Sequence, residues 1–109
     1  MLLEKKAQDG DIIAIKLVSG NEIIAKLVEE SERVIIVLKQ VELGMAATGG
    51  VGFGPFMIGA PDDVEMIFDL SMVVTFVKAR KEIKDAYIKS TSGIVPAGAG
   101  SIPDGLIKL

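Results

Sequence analysis

Cysteine, histidine and tryptophan are all missing from this chain, which has one tyrosine and four phenylalanines among its 109 residues. Without cysteine there is no disulfide framework and no thiolate nucleophile. Without histidine as well, the usual zinc sites and the Ser-His and Cys-His nucleophile pairs cannot be built. Acid–base chemistry would fall to carboxylates, lysines and Tyr87, so the composition points away from an enzyme, and no residue is assigned a catalytic role. No motif calls for a cofactor or a metal. Adjacent Asp62 and Asp63 are the nearest thing to a carboxylate pair, and no partner base accompanies them. No run of 18 or more apolar residues is present, so no membrane-spanning helix is expected. The opening Met1-Leu2-Leu3-Glu4-Lys5-Lys6 lacks the order and length of a signal peptide, and a cytoplasmic location is expected. Excess positive charge is lacking too: the formal charge is −3 and the pI about 4.9. Such a balance does not suit a non-specific coat for phosphates, though it leaves room for a local basic patch.

What the chain has is apolar surface. Hydrophobic residues make up 50 % and the mean hydropathy is +0.47, with 25 % charged residues. The length suits one domain spanning 1–109, whose interior is small. A small interior cannot hide so much apolar surface, so part of it is expected between copies in a homo-oligomer.

Residues 1–9 form a polar lead-in, and then a two-residue period begins. Ile13, Ile15 and Leu17 share one face of a first strand; Ser19-Gly20-Asn21 supplies turn chemistry, with Gly20 free to take positive φ. A second strand from Glu22 to Val28 turns Ile23, Ala25 and Leu27 inward. Glu29 to Glu32 is a polar connection. A third strand from Arg33 to about Val41 is expected to turn Val34, Ile36 and Leu38 inward. Ile12, Ile24, Ile35 and Val37 make the other face apolar too, so it also needs a cover. Strands 1–3 thus occupy 10–41.

Residues 42–63 are rich in glycine and read as a long loop insert, with a short extended piece at Phe56-Met57-Ile58. The segment lacks the Gly-Lys-Ser/Thr ending of a phosphate-binding loop. Strands 4 and 5 occupy 64–77: Val64 to Phe68, a tight bend at Asp69-Leu70-Ser71, then Met72 to Val77. The period then changes, and Ala79, Ile83, Ala86 and Tyr87 fall on one face of a helix over 79–91, with Gly93 suited to cap it. A tail over 93–109 mixes Gly and Pro with Ile102, Leu106, Ile107 and Leu109, and is expected to lie on a surface. The fold class is therefore mostly β: a small, strongly bent, five-stranded antiparallel barrel with a Gly-rich insert and a C-terminal helix.

The first three strands resemble the first motif of the Sm-like (LSm) family. Ile13, Ile15, Leu17 and Gly20 match its alternating strand ending in Leu-x-x-Gly. Ala25 stands at the family's second Gly, Leu27 matches, and Val34, Ile36 and Leu38 match the third strand. Met66 to Val77 resembles the second motif in strand pattern, but Asp69 and Leu70 occupy its Arg-Gly positions. The Gly-Pro-Phe-Met and Thr-Ser-Gly-Ile segments resemble Sm-like proteins encoded by tailed phages, including cyanophages, which would place the protein in an infected bacterial host.

The resemblance implies a ring of about five to seven copies in which the fourth strand of one subunit pairs with the fifth of the next. The interface would hold Met66, Ile67 and Phe68 against Val73, Val74 and Thr75. The alternative is that both strands only complete the subunit's own sheet. It also implies single-stranded RNA at the inner rim, through the positions of Ser31, Arg33, Ile35, Asp69 and Leu70. Arg33 suits stacking on a base, or a turn salt bridge with Glu30 or Glu32. Ile35 cannot hydrogen-bond a base edge, and Asp69 would repel phosphate. Separately, Lys78, Arg80, Lys81, Lys84 and Lys89 outweigh Glu82 and Asp85, a basic patch that a ring would repeat. An ordinary solvated helix face gives the same pattern. The function expected is a non-catalytic ring with an RNA-binding or RNA-processing role. The alternative is a phage-encoded structural or protein-interaction scaffold.

Overall fold

The structure, a computed structural model, describes residues 7–61 and 63–91. It is built from β1 (Ile12–Leu17), β2 (Glu22–Glu30), β3 (Val34–Met45), β4 (Val51–Pro55), β5 (Met66–Asp69), a 3-10 turn (Leu70–Met72), β6 (Val73–Lys78) and α1 (Lys81–Thr91). The six strands form one antiparallel sheet in the order β4-β3-β2-β1-β6, with β5 also paired to β3.

Two hairpins use the same turn. After β1, the Leu17 amide donates to Asn21 and the Gly20 amide to Leu17; after β3, the Ala46 amide donates to Gly50 and the Gly49 amide to Ala46. Each loop has three residues, and the third must take positive φ to return the chain. Glycine supplies it, at +99° for Gly20 and +102° for Gly49.

The second hairpin changes the expected strand count. The 42–63 segment is not one loop: its first residues continue β3 to Met45, and Val51–Pro55 returns as β4. The extended piece therefore lies at 51–55 and not at Phe56-Met57-Ile58, and the sheet has six strands rather than five. Glycine density suggested a loop, but backbone pairing to β3 outweighs a weak strand propensity. Counting in twos from the Ala46–Gly50 bond, the amides of Gly52 and Gly54 face β3 and those of Val51 and Phe53 face the open edge. Pro55, with no N–H to offer, falls in the open-edge phase.

β3 serves two neighbours along one edge. Val34–Val37 pairs with β5 and Val41–Met45 with β4. Between them, Lys39 and Gln40 stand opposite the single residue Ala25, a bulge in which Lys39 takes φ 56°. The sheet is not closed: among the described residues no ladder joins β5 to β6, and the 3-10 turn alone links them.

The core lies on one face of the sheet. Ile13, Ile15 and Leu17 of β1 and Ile23, Ala25 and Leu27 of β2 are buried there as the alternation predicts. On β3 the face is the opposite of the one expected. Ile35 and Val37 are fully buried in the core, while Val34, Ile36 and Leu38 are half-exposed on the other side. The register explains this: a shift between Leu27 and Glu29 sets Val37 opposite inward-facing Leu27. A one-residue slip moves a whole strand's set across the sheet, and β3 is apolar on both faces, so its alternation could not choose.

The other face carries two aligned rows, Val77-Ala14-Ile24-Val41-Pro55 and Thr75-Lys16-Glu22-Leu43-Phe53. α1 lies on this face. The Ala79 amide bonds to Ile12 at its start; near its end Tyr87 meets Phe53 edge-on, with ring centroids 6.4 Å apart. Tyr87 is 2 % exposed, and Ile24, on the same face, is also buried. Ala86, expected on the buried side, is exposed; Ala79 and Ile83 are half-buried. The helix begins at Lys81 rather than at 79. The expected cap at Gly93, the tail and most of the lead-in lie outside the described residues.

Candidate functional site

The fold brings together four of the five residues that the family resemblance marks for RNA. Ser31 and Arg33 occupy the turn between β2 and β3; Asp69 ends β5 opposite Val34, and the Leu70 amide donates to the Arg33 carbonyl at 2.8 Å. Ile35 is not part of the group. It is 0 % exposed and packs in the core, so it presents nothing to a ligand.

Each polar member already has work within the fold. The Ser31 hydroxyl accepts from the Val34 amide and donates to the Val34 carbonyl, both at 3.3 Å, and so closes the turn. The Asp69 carboxylate caps the 3-10 turn by accepting from the Ser71 amide at 2.9 Å. The Ser71 amide, then the Ser71 hydroxyl, then the Arg33 charge hold its pKa below the usual carboxylate range. The Arg33 charge thus acts on a carboxylate of another element, Asp69 at the end of β5. Sequence adjacency could not show this; the β3–β5 register decides it. Chemically, the cluster offers a guanidinium plane with a carboxylate beside it.

The strands expected at an interface contribute unevenly. Phe68 is buried and packs on the core together with half-buried Met66 and Val73. Ile67 (64 % exposed), Val74 (63 %) and Thr75 face solvent. Among the described residues, each of β5 and β6 is paired on one edge only, to β3 and β1 respectively. Val74 is the residue skipped between the pairs Lys16–Thr75 and Leu17–Val73, a bulge at this edge.

The basic residues lie at the end of β6 and along α1, all exposed. Lys78 stands opposite Ile13. Lys81 forms an i,i+4 ion pair with Asp85 at 2.7 Å, and the hydrogen bond to Asp85 raises its pKa. Asp63 is exposed, and Asp62 lies outside the described residues.

Sequence reasoning missed one polar feature. The register puts Glu42 in line with core residues Ile15 and Ile23, where its carboxylate accepts from the Asn21 side chain. No local signal marks it, because the pair spans two strands. No helix of the described residues is long and apolar enough to cross a membrane. No protein-family model and no curated protein matches the chain.

Proposed function

We propose that the chain is a non-catalytic, self-assembling ring protein of the Sm-like type that binds single-stranded RNA. The observation that carries the reading is the open sheet in which β5 and β6, among the described residues, each present an unpaired edge dressed by exposed Ile67 or Val74. Unpaired edges bearing apolar side chains are an aggregation hazard unless another chain covers them. Pairing β5 of one copy with β6 of the next would satisfy both edges and close a small barrel-like wall. RNA would meet the rim through Arg33, by stacking on a base and not by reading its edge.

Two measurements test this. Light scattering gives the mass in solution; a monomer overturns the ring. Fluorescent oligo-U and oligo-A at low salt test the ligand; no binding by either overturns the RNA role. Stacking is worth about 1–3 kcal/mol per base, so Arg33→Ala is expected to weaken binding roughly 5- to 150-fold.

A second reading is a protein-interaction scaffold without RNA. The Asp69 carboxylate beside Arg33, the occupied Ser31 hydroxyl and the buried Ile35 favour it. A ring that binds neither oligonucleotide would select it.

A further inference from the structure

The β3–β4 hairpin carries an apolar face that α1 covers only in part. Leu43 and Met45 on β3 stand opposite Phe53 and Val51 on β4, and the two-residue period puts all four on one face. It is the face on which α1 lies, because Phe53 meets Tyr87. Beyond that contact the cover stops: Met45 is 74 % and Val51 54 % exposed.

The chain leaves α1 beside this opening. Tyr87 is one turn before Thr91, the last residue of the helix. The segment that follows, 92–109, holds Ile94, Val95, Ile102, Leu106, Ile107 and Leu109 against one acid, Asp104, and one base, Lys108. Extended chain advances about 3.3 Å per residue, so even the stretch from Thr91 to Ile102 outreaches a five-residue strand. We propose that the C-terminal segment 92–109 docks its aliphatic side chains on the Leu43–Met45–Val51–Phe53 face of its own chain, extending the layer that α1 begins. Burying exposed Met45 and Val51 together with the segment's own aliphatics gives a hydrophobic drive, and the segment's near absence of charge removes the opposing cost. The inference is independent of the ring and of RNA.

The absence of native cysteine gives cross-linking no background. Met45→Cys combined with Leu106→Cys, and separately with Ile102→Cys, is treated with a short bifunctional thiol reagent. The control pairs the same tail cysteines with Ile58→Cys, a strongly exposed apolar position in the turn beyond the end of β4. An intramolecular product forming about tenfold faster from Met45→Cys than from the control is expected. Equal rates overturn the proposal, and so does a product found only between chains, which would give the face to a neighbour's tail. Hydrogen exchange supplies a second readout. The amides in the β3–β4 ladder phase, those of Gly44, Ala46, Gly52 and Gly54, are expected to exchange at least about tenfold faster in a chain ending at Thr91, with β1 amides unchanged; unchanged exchange at these four overturns the proposal. Should truncation loosen the whole sheet, Leu106→Asp with Ile107→Asp in the full chain replaces it.

Discussion

Two residues hold the helix to the bend of the sheet. Lys39 takes φ 56°, a left-handed conformation that costs a non-glycine residue about 1–2 kcal/mol. Its carbonyl accepts from the Tyr87 hydroxyl at 2.6 Å. The strain is local, so Lys39→Gly is expected to raise stability by about 1 kcal/mol, and Lys39→Val, β-branched, to lower it, both read by urea denaturation. Tyr87 has a pH consequence. Burial pushes its phenol from 10.0 up to about 12. The folded state therefore holds the proton more tightly than the unfolded state does. The resulting stability is complete below pH 10 and is lost as the pH rises through about 12. Because Tyr87 is the only tyrosine, phenolate absorbance reports it alone. A midpoint near 12 in the folded chain, falling to near 10 in denaturant, is the expected result. Tyr87→Phe should remove this alkaline component and cost about 1 kcal/mol at neutral pH for the lost hydrogen bond.

At the scale of elements, β3 organises the molecule. Its first half packs Ile35 and Val37 into the core beside β5, and its second half carries β4 away over the helix face. The family resemblance puts a base-reading asparagine at position 35. The packing gives that position to the interior, so Ile35→Asn is expected to destabilise by about 3 kcal/mol, through lost burial and an unpaired amide, without gaining RNA affinity. A melting curve with an oligonucleotide titration checks both halves of this statement. The turn ahead of β3 and the capped 3-10 turn after β5 were legible as turn chemistry in Ser31 and Asp69. Their joining, with Asp69 beside Arg33, was not, because it depends on which residue of β5 stands opposite Val34.

At the scale of the whole molecule, the open edges of β5 and β6 dominate. Ile67 and Val74 do nothing for the isolated core, so Ile67→Glu is expected to leave the fold's circular dichroism unchanged while lowering the mass in solution toward that of one chain. A charge placed at an edge repels its copy and hydrates the strand. An unchanged mass would remove β5 from any interface.

The sequence by itself determined what depends on near neighbours. Alternation placed the cores of β1 and β2, because only one face of each carries a full apolar set beside charged Lys16 and Lys26. Gly20 marked its hairpin, since positive φ is a local demand, and Tyr87 marked the buried side of the helix by its period. Tertiary structure alone decided the rest. β3, apolar on both faces, received its inward side from a register shift in β2. The Gly-rich segment became a strand only because β3 was there to pair with it. Arg33 acquired Asp69 as its neighbour through a ladder between residues far apart in the chain. Such long-range pairings are set by the sum of backbone hydrogen bonds and core burial, a quantity that no single stretch of sequence contains.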